Sequence, residues 1–355
     1  MRILRLVTAL AALLLSLALA GGAAAYPWPV EPFDRQHPVR GFFGDPRTVF
    51  LNGVLAGGFD GPGFFSFHQG VDISAPDGTP VYPVMSGTAH YMGAATLDVD
   101  SGDGHVFQYF HIVPVVGEGE EVVARRTILG YVQTPYGHVH LTEISGGHAV
   151  NPLQKGHLTP YADHTRPTIR AVEFRNLSGT LQTPLGVCGR VEIDADAFDT
   201  PPRLVPGNFR GLPTTPALVR WTVSRLSGKI AVPWRTAADF RTTLPPNNRF
   251  ADVYAKGTYE NAPRFGDQQY TAMPGRYLFL LAGNFDTTSL ANGVYRLTVR
   301  ASDIRGNTAS QTARFSVLNA RSGVCPGSLP APPTTQPPPT EPPDVSPGTG
   351  ATPQP

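Results

Sequence analysis

The sequence has little charge, little cysteine and only one long apolar run. Charged residues make up 15% of its 355 residues, and 28 Lys and Arg are balanced by 27 Asp and Glu. This balance argues against nucleic acid or an anionic membrane surface as a partner. Glycine and proline are abundant instead, with 38 and 37 residues, which favours strands and turns over helices.

The one long apolar run lies at the amino terminus. Two arginines precede an apolar stretch from about Leu6 to Ala20, and small residues follow it. This layout predicts a secretory signal peptide over residues 1–25, cleaved before Tyr26. An uncleaved membrane anchor is the alternative, although the run is short for a bilayer span. We therefore expect a secreted or envelope-associated chain with no stable membrane insertion after cleavage.

The two cysteines, Cys188 and Cys325, both lie in the second half of the chain. In an oxidising compartment, a disulfide between them would tie the end of that half to its beginning. Two free buried thiols are the alternative. Neither cysteine has a partner at metal-ligand spacing, so neither is a candidate zinc ligand.

The first part of the mature chain contains most of the histidines. Short apolar runs broken by Gly and Pro extend over residues 26–155, and nine of the ten histidines lie between His37 and His157. A polar segment with several prolines follows at residues 156–167 and predicts a linker.

The second part has a different pattern. Period-two runs such as "RVEIDADAF" at Arg190–Phe198 and "GVYRLTVRASD" at Gly293–Asp303 predict an antiparallel β-sandwich over residues 168–325. A turn, "DIRGNT", then leads into a last strand, "ARFSVLN". Residues 326–355 contain twelve prolines, which predicts a disordered, extended tail. The fold class predicted for the whole chain is all-β.

Two histidines separated by one residue occur in "YGHVHLTEI", which otherwise has the pattern of a strand. Because side chains alternate faces along a strand, His138 and His140 project to the same side. Upstream, "FHQGVD" places His68 and Asp72 four residues apart, so in an extended segment they also share a face. A glycine between them leaves room beside both side chains.

His111, in "FQYFHIV", adds a fourth imidazole on a strand-like run. A catalytic zinc site takes three protein ligands, commonly His and a carboxylate, and keeps a fourth position for water. Four imidazoles and one carboxylate exceed that number by two. Two spare imidazoles suit a hydrolase, in which one takes a proton and the other stabilises developing charge. A lone strand histidine is more often hydrogen-bonded or exposed, but the joint pattern favours metal.

The motifs "HQGVDISAPDGTPV", "YFHI" and "HVHLTEI", in this order, resemble the signature of the lysostaphin and LytM-type zinc metallopeptidases. Those are bacterial secreted or envelope-associated enzymes that cut the peptide part of peptidoglycan. The resemblance extends over roughly residues 40–153, and "GFFGDPR" at residues 41–47 is similar to the strand that opens this domain. It implies a compact antiparallel β-domain with an open groove over the metal.

The resemblance also implies roles for particular residues. His68, Asp72 and His140 would bind one Zn²⁺ per chain, and His111 and His138 would be catalytic without binding the metal. His138 is expected to receive or position a proton of the zinc-activated water, and His111 to stabilise the oxyanion or protonate the leaving amine. Which of the two is the base is left open. No glutamate stands in an H-E-x-x-H arrangement, so histidine must act as the base.

The expected substrate is a peptidoglycan stem peptide or cross-link, and no nucleic-acid partner is expected. The second domain has the pattern of an immunoglobulin-like or fibronectin-like module, a carrier fold that does not imply function. By analogy, it would dock the enzyme to an envelope partner or space it from one. A second hypothesis is a non-catalytic envelope protein that binds wall peptides or activates another peptidoglycan hydrolase. A metal-storage protein is disfavoured by the surplus histidines.

Some positions depart from the family pattern. The loop before the H-x-H pair is short and contains Pro135 and Tyr136, and Pro83 stands where a small residue is usual. We expect specificity to differ at Pro135 to Gly137. Six further histidines lie in turn-rich or linker segments and are expected to be solvated: His37, His90, His105, His148, His157 and His164.

Overall fold

A computed structural model describes residues 25–48, 65–93, 95–261 and 274–319. The predicted signal peptide up to residue 24, Cys325 and the proline-rich tail lie outside these ranges. Within them the regular secondary structure consists of antiparallel strands and three short 3₁₀ segments, so the predicted all-β fold class is confirmed. Among these residues, no helix has the length and apolarity needed to cross a bilayer.

The strands of the first half are short and are separated by glycine-rich turns. They are β1 (Val39–Gly41), β2 (Pro46–Arg47), β3 (Ser66–Phe67), β4 (Val71–Ser74), β5 (Pro80–Val81), β6 (Gly87–Gly93), β7 (Thr96–Asp100), β8 (His105–Phe110), β9 (Ile112–Pro114), β10 (Glu121–Val122), β11 (Gly130–Val132), β12 (His138–Ser145) and β13 (His148–Val150).

One large antiparallel sheet organises this half, in the order β1-β4-β12-β8-β7-β6-β10, with β13 paired to β12. In its centre, β12 pairs with β4 so that His140 lies opposite Asp72. On its other side, β12 pairs with β8, where His140 lies opposite Phe110. The register of three strands therefore brings together segments that are distant in sequence.

Alternating apolar residues of this sheet pack into a first core with residues before β1. Val71 and Ile73 of β4 and Val139 and Leu141 of β12 are fully buried there. The buried aromatic residues that precede β1 belong to the same core: Tyr26 and Trp28.

The strands of the second half are longer. They are β14 (Thr168–Asn176), β15 (Arg190–Phe198), β16 (Leu218–Arg225), β17 (Ile230–Asp239), β18 (Leu278–Asp286), β19 (Gly293–Ser302) and β20 (Thr308–Val317). The 3₁₀ segments are Gly207–Phe209, Asn247–Asp252 and Thr287–Ser289. β15 has the predicted bounds, whereas β20 begins five residues before the predicted "ARFSVLN", because its pairing with β19 continues to the turn.

Two sheets, β14-β15-β18 and β17-β16-β19-β20, enclose a second core. Val191, Ile193 and Ala195 of β15 face this core, as their period-two spacing predicts. Phe174 of one sheet packs on Phe315 of the other, with ring centroids 5.0 Å apart. The two-layer arrangement of a sandwich is present, and the immunoglobulin-like assignment stays a prediction.

The predicted disulfide concerns the end of this second half. Cys188 is buried and disulfide-bonded. Since Cys325 lies outside the described residues, the identity of its partner stays a prediction.

The two halves share an extensive interface. Phe43 and Phe67, which belong to the first half by sequence, pack in the second core beside Phe240 and Tyr254. Asp45 accepts a hydrogen bond from the backbone N–H of Thr215 at 2.7 Å. The segment that leads into the histidine motif is therefore held by the second half of the chain.

Candidate metal centre

The structure brings together all five residues proposed from the sequence. Asp72 lies in β4, and His138 and His140 lie in β12 with both rings on the side of Asp72. The expectation that all five lie on strands is wrong for two of them. His68 lies in the loop after β3, and His111 lies in a bend between β8 and β9. These side chains nevertheless converge because β12 pairs with both β4 and β8.

Three donor atoms converge on one point. His68 Nε2 lies 2.8 Å from His140 Nδ1, and Asp72 Oδ1 lies 3.0 Å from each of these nitrogens. Ligand atoms about 2.0–2.2 Å from a tetrahedral zinc ion are roughly 3.3 Å apart. The three atoms are thus nearly as far apart as the ligands of one ion must be.

The second atom of each of these side chains is held by another group. His68 Nδ1 lies 2.8 Å from the carbonyl oxygen of Phe42, and His140 Nε2 lies 2.8 Å from the hydroxyl of Thr142. Donation from these nitrogens leaves the lone pairs of His68 Nε2 and His140 Nδ1 directed at the point of convergence. The Phe42 carbonyl, which only accepts, thus selects the metal-binding tautomer of His68, and the Thr142 hydroxyl is compatible with that of His140.

Asp72 is oriented by an arginine. Arg47 Nη2 donates to Asp72 Oδ2 at 2.7 Å, and Arg47 also lies 3.6 Å from Glu260 of the second half. Burial by itself would raise the pKa of Asp72, but the neighbouring His68 and Arg47 lower it well below its usual value. Asp72 is therefore ionised, with one oxygen on Arg47 and the other facing the histidines.

Three imidazoles of the site, those of His68, His140 and His111, have lowered pKa values. Burial, followed by the charge of Arg47, lowers the pKa of His68 to about 3. Burial also lowers the pKa of His140, and that of His111 to about 3. Since metals bind the neutral imidazole, a neutral ring pair with one ionised carboxylate fits Zn²⁺.

Two glycines make room for the donor set. A Cβ on Gly41 would meet Asp72 Oδ2 and would lie 3.1 Å from Arg47 Nη2. A Cβ on Gly70 would meet the carbonyl oxygen of Leu141 and would lie 2.7 Å from His140 Nε2. Gly70 thus provides the space that the sequence predicted beside His68 and Asp72. Gly41 provides space on the Arg47 side of Asp72.

His138 lies beside the three donor atoms and has two competing partners of its own. Its Nε2 lies 3.5 Å from Asp72 Oδ1. Its Nδ1 lies 2.6 Å from Arg40 Nη2 and 2.9 Å from the carbonyl oxygen of Tyr136. Arginine has only donors and a carbonyl only accepts, so the two partners favour opposite tautomers of His138.

His111 completes the site from the bend between β8 and β9. Its ring stacks on Tyr136 with centroids 4.2 Å apart, and lies 4.6 Å from the ring of His138. Its backbone has a φ of 62°, a left-handed conformation that non-glycine residues seldom adopt. Such strain persists where the surrounding structure imposes it, often at functional sites.

Sequence reasoning missed four residues of the site: Arg40, Arg47, Thr142 and Phe209. Arg47 lies inside the "GFFGDPR" stretch, so its motif could have drawn attention to it. Phe209 had no such signal, because it comes from the second half and its ring lies 3.9 Å from the Arg40 guanidinium carbon. Desolvation lowers the pKa of Arg40 to about 10, so it stays a cation at neutral pH.

One expectation about the remaining histidines is wrong. His157 is 9% exposed and lies 2.7 Å from Glu143, which is fully buried. His105 lies 3.0 Å from the same carboxylate, and the Tyr26 hydroxyl donates to it at 2.6 Å. These groups surround an internal acid in the first core, whereas His148 and His164 are exposed as expected.

No family model and no curated protein matches the sequence. Solved structures similar to this chain include LytU, at 24% identity over 34% of this chain and 86% of that chain, with a TM-score of 0.25. The M23 metalloprotease pseudoalterin is 15% identical over 46% of this chain and 92% of that chain, with a TM-score of 0.23. Lysostaphin is 18% identical over 63% of this chain and 85% of that chain, with a TM-score of 0.23. The solved structures that this chain resembles over part of its length are thus lysostaphin-type proteins.

Proposed function

We propose that the chain is an exported zinc metalloendopeptidase that hydrolyses peptide bonds in peptidoglycan stem peptides or cross-links. The observation that supports this most is the convergence of His68 Nε2, Asp72 Oδ1 and His140 Nδ1 within 3.0 Å of one another. Two further imidazoles, His111 and His138, stand beside that donor set and are not needed to complete it.

Zinc bound by His68, Asp72 and His140 would supply a Lewis acid that lowers the pKa of a water towards 7. Arg47 and Thr142 would keep Asp72 and His140 in their binding orientations through the 2.7 Å and 2.8 Å contacts. Because burial lowers the pKa of His68 and His140, protons would compete little with the metal for their nitrogens at physiological pH.

His138 would handle a proton at Nε2, the nitrogen that faces Asp72. When its Nδ1–H donates to the Tyr136 carbonyl, Nε2 is free to take a proton from the attacking water. When Arg40 donates to Nδ1, the ring proton sits on Nε2, and His138 becomes a donor to the developing oxyanion. The balance between Arg40 and Tyr136 would therefore divide the base and oxyanion roles between His138 and His111.

The experiment measures zinc and cleavage on the same preparation. The chain without residues 1–25 is purified, its zinc content is determined, and new free amines are assayed after incubation with intact peptidoglycan. We expect about one zinc per chain and amine release that falls about 10²–10⁴-fold in His138→Ala, with zinc retained. His148→Ala removes an exposed histidine of β13 and should change neither quantity.

Stoichiometric zinc without amine release from peptidoglycans of several cross-link types would overturn the enzyme. That outcome would instead support an envelope protein that binds wall peptides or activates another hydrolase. A preparation that takes up no zinc would reject the metal set itself.

A further inference from the structure

A second group of buried acidic side chains joins three distant segments. Asp163 lies between β13 and β14, Asp199 directly follows β15, and Asp303 directly follows β19. One carboxylate oxygen from each lies within 4.8 Å of the other two. The three residues are only 4%, 1% and 2% exposed. Three carboxylates cannot stay ionised together in such a place without compensation.

Two of these carboxylates are held in place by hydrogen-bond donors. Asp163 Oδ1 accepts from the backbone and hydroxyl of Thr165, at 2.8 Å and 2.6 Å. Asp303 Oδ1 accepts from the backbone N–H groups of Arg305 and Asn307, both at 2.8 Å. These donors fix the orientation of both carboxylate groups.

Asp199 is only half satisfied. Its Oδ1 accepts from the backbone N–H of Thr200 at 2.8 Å, but its buried Oδ2 has no hydrogen-bond partner among the described residues. The hydroxyl of Thr214, itself fully buried, likewise has none there. Asp199 and Thr214 face each other across an antiparallel bridge, which puts their side chains on the same side. Two buried oxygens therefore lack partners at the cluster.

The adjacent Arg305 does not donate a hydrogen bond to either of these oxygens. Arg305 donates to the carbonyl oxygens of Leu153, at 2.7 Å, and of Tyr161, at 3.1 Å and 3.2 Å. A proton on Asp199 would remove one negative charge but would leave the Thr214 hydroxyl without a partner among the described residues. A bound cation would satisfy the unpartnered oxygens and the clustered charge together.

We propose that Asp163, Asp199 and Asp303, with the hydroxyl of Thr214, form a Ca²⁺ site. Ca²⁺ takes six to eight oxygen ligands at about 2.3–2.6 Å, so oxygens on opposite sides of the ion are about 4.6–5.2 Å apart. The oxygen-only donor set suits Ca²⁺ better than Zn²⁺. Burial disfavours Mg²⁺, which usually keeps several waters.

The ion would stabilise the junction between the two halves of the chain. Asp163 lies in the predicted linker, and Asn307 donates to its backbone carbonyl oxygen at 2.9 Å. Asp199 and Asp303 come from the two facing sheets of the second half. Calcium would thus hold the linker against both sheets of the sandwich.

The test is calorimetric titration of the purified, calcium-free full chain with CaCl₂, and separately with MgCl₂. We expect one saturable calcium site and a much weaker response to magnesium. At a calcium concentration of 100 times the Kd, the ratio of folded to unfolded chain should rise about 100-fold, which raises the Tm by about 5 °C.

Asp199→Asn is the informative variant because it keeps the shape of the side chain and removes its charge. It should weaken calcium binding at least about tenfold, yet unfold at a higher temperature than the parent chain when calcium is absent. Asp194→Asn is the control: Asp194 is a fully buried aspartate on β15, away from the cluster, with Arg175 Nε 3.5 Å from its Oδ2. The control should keep the calcium response.

The proposal would be overturned if calorimetry detected no saturable binding of calcium to the parent chain. Equal calcium affinity in the parent and in Asp199→Asn would also overturn it, as would a stability gain in Asp199→Asn that is the same at every calcium concentration. The last result would identify the cluster as buried acids that share protons.

Discussion

The histidine site and the aspartate cluster both bury carboxylates, but they compensate the charge differently. Asp72 has a cationic partner in Arg47, at 2.7 Å, and two neutral imidazoles at 3.0 Å. In the cluster, Arg305 donates to carbonyl oxygens, and Asp199 keeps an unpartnered oxygen among the described residues. Groups of the protein largely compensate the charge of Asp72, whereas the aspartate cluster would need a bound cation. The mixed nitrogen and oxygen donors of the first suit zinc, and the oxygens of the second suit calcium.

The largest expected effect comes from removing a proposed zinc ligand. His140→Ala should lower the zinc content from about one to near zero and should abolish amine release, a loss larger than the 10²–10⁴-fold range of acid–base residues. Metal analysis and the peptidoglycan assay measure the two quantities. Calcium binding should be unchanged, which keeps the two sites distinct. Full zinc content in His140→Ala would contradict the proposed ligand set.

The next effect concerns His111, whose backbone limits the useful replacements. Asparagine tolerates the left-handed conformation at φ 62°, so His111→Asn removes the imidazole with little added backbone strain. We expect zinc to be retained and kcat/KM to fall about 10²–10⁴-fold. A variant with normal activity would show that His111 merely packs against Tyr136 and has no catalytic role.

The two sites should also respond to pH with opposite sign in metal-free protein. The pKa of His111 is lowered to about 3, mainly by burial, against about 6.5 when unfolded, so its contribution to stability is lost as pH falls below 6.5. Burial raises the pKa of Asp199 to about 8, against about 3.9 when unfolded, so its contribution is lost as pH rises from 4 to 8.

Denaturant unfolding between pH 4 and pH 8 separates these contributions. Relative to the parent chain, the free energy of unfolding of His111→Asn should rise by up to about 1.4 kcal/mol per pH unit as pH falls from 6.5. The free energy of unfolding of Asp199→Asn should rise by a similar amount per unit as pH rises from 4. Curves for both variants that run parallel to the parent would mean that neither group titrates differently in the folded chain.

The smallest effect is expected at Gly41. In Gly41→Ala, the new methyl group would meet Asp72 Oδ2 and come within 3.1 Å of Arg47, so Asp72 must shift. We expect zinc affinity to fall about 10–100-fold, as when an outer partner of a ligand is lost. Competition with a chelator measures the change. Gly117→Ala is the control, because its Cβ would meet only Glu120 Oε2, at 3.5 Å.

Much of the histidine site could be predicted because its spacings are local. His138 and His140 are two residues apart on one strand, and their shared face follows from the period of a strand alone. The left-handed bend at His111 could not be predicted, since "FQYFHIV" has the composition of a continuous strand. Arg40 and Phe209 could not be predicted either, because they reach the site from another strand and from the other half of the chain.

By itself, the sequence determined the all-β class, the bounds of strands such as β15, and the side chains available for a metal. The fold class, the strand bounds and the available side chains depend on periodicity and residue type, and both are visible in short stretches of sequence. The tertiary structure decided that β4 and β12 pair with Asp72 opposite His140, and that Phe43 and Phe67 pack in the second core. It also decided that Asp163, Asp199 and Asp303 meet. Apolar and acidic patterns predict which residues need a partner, but only strand register and packing determine which partner each one finds.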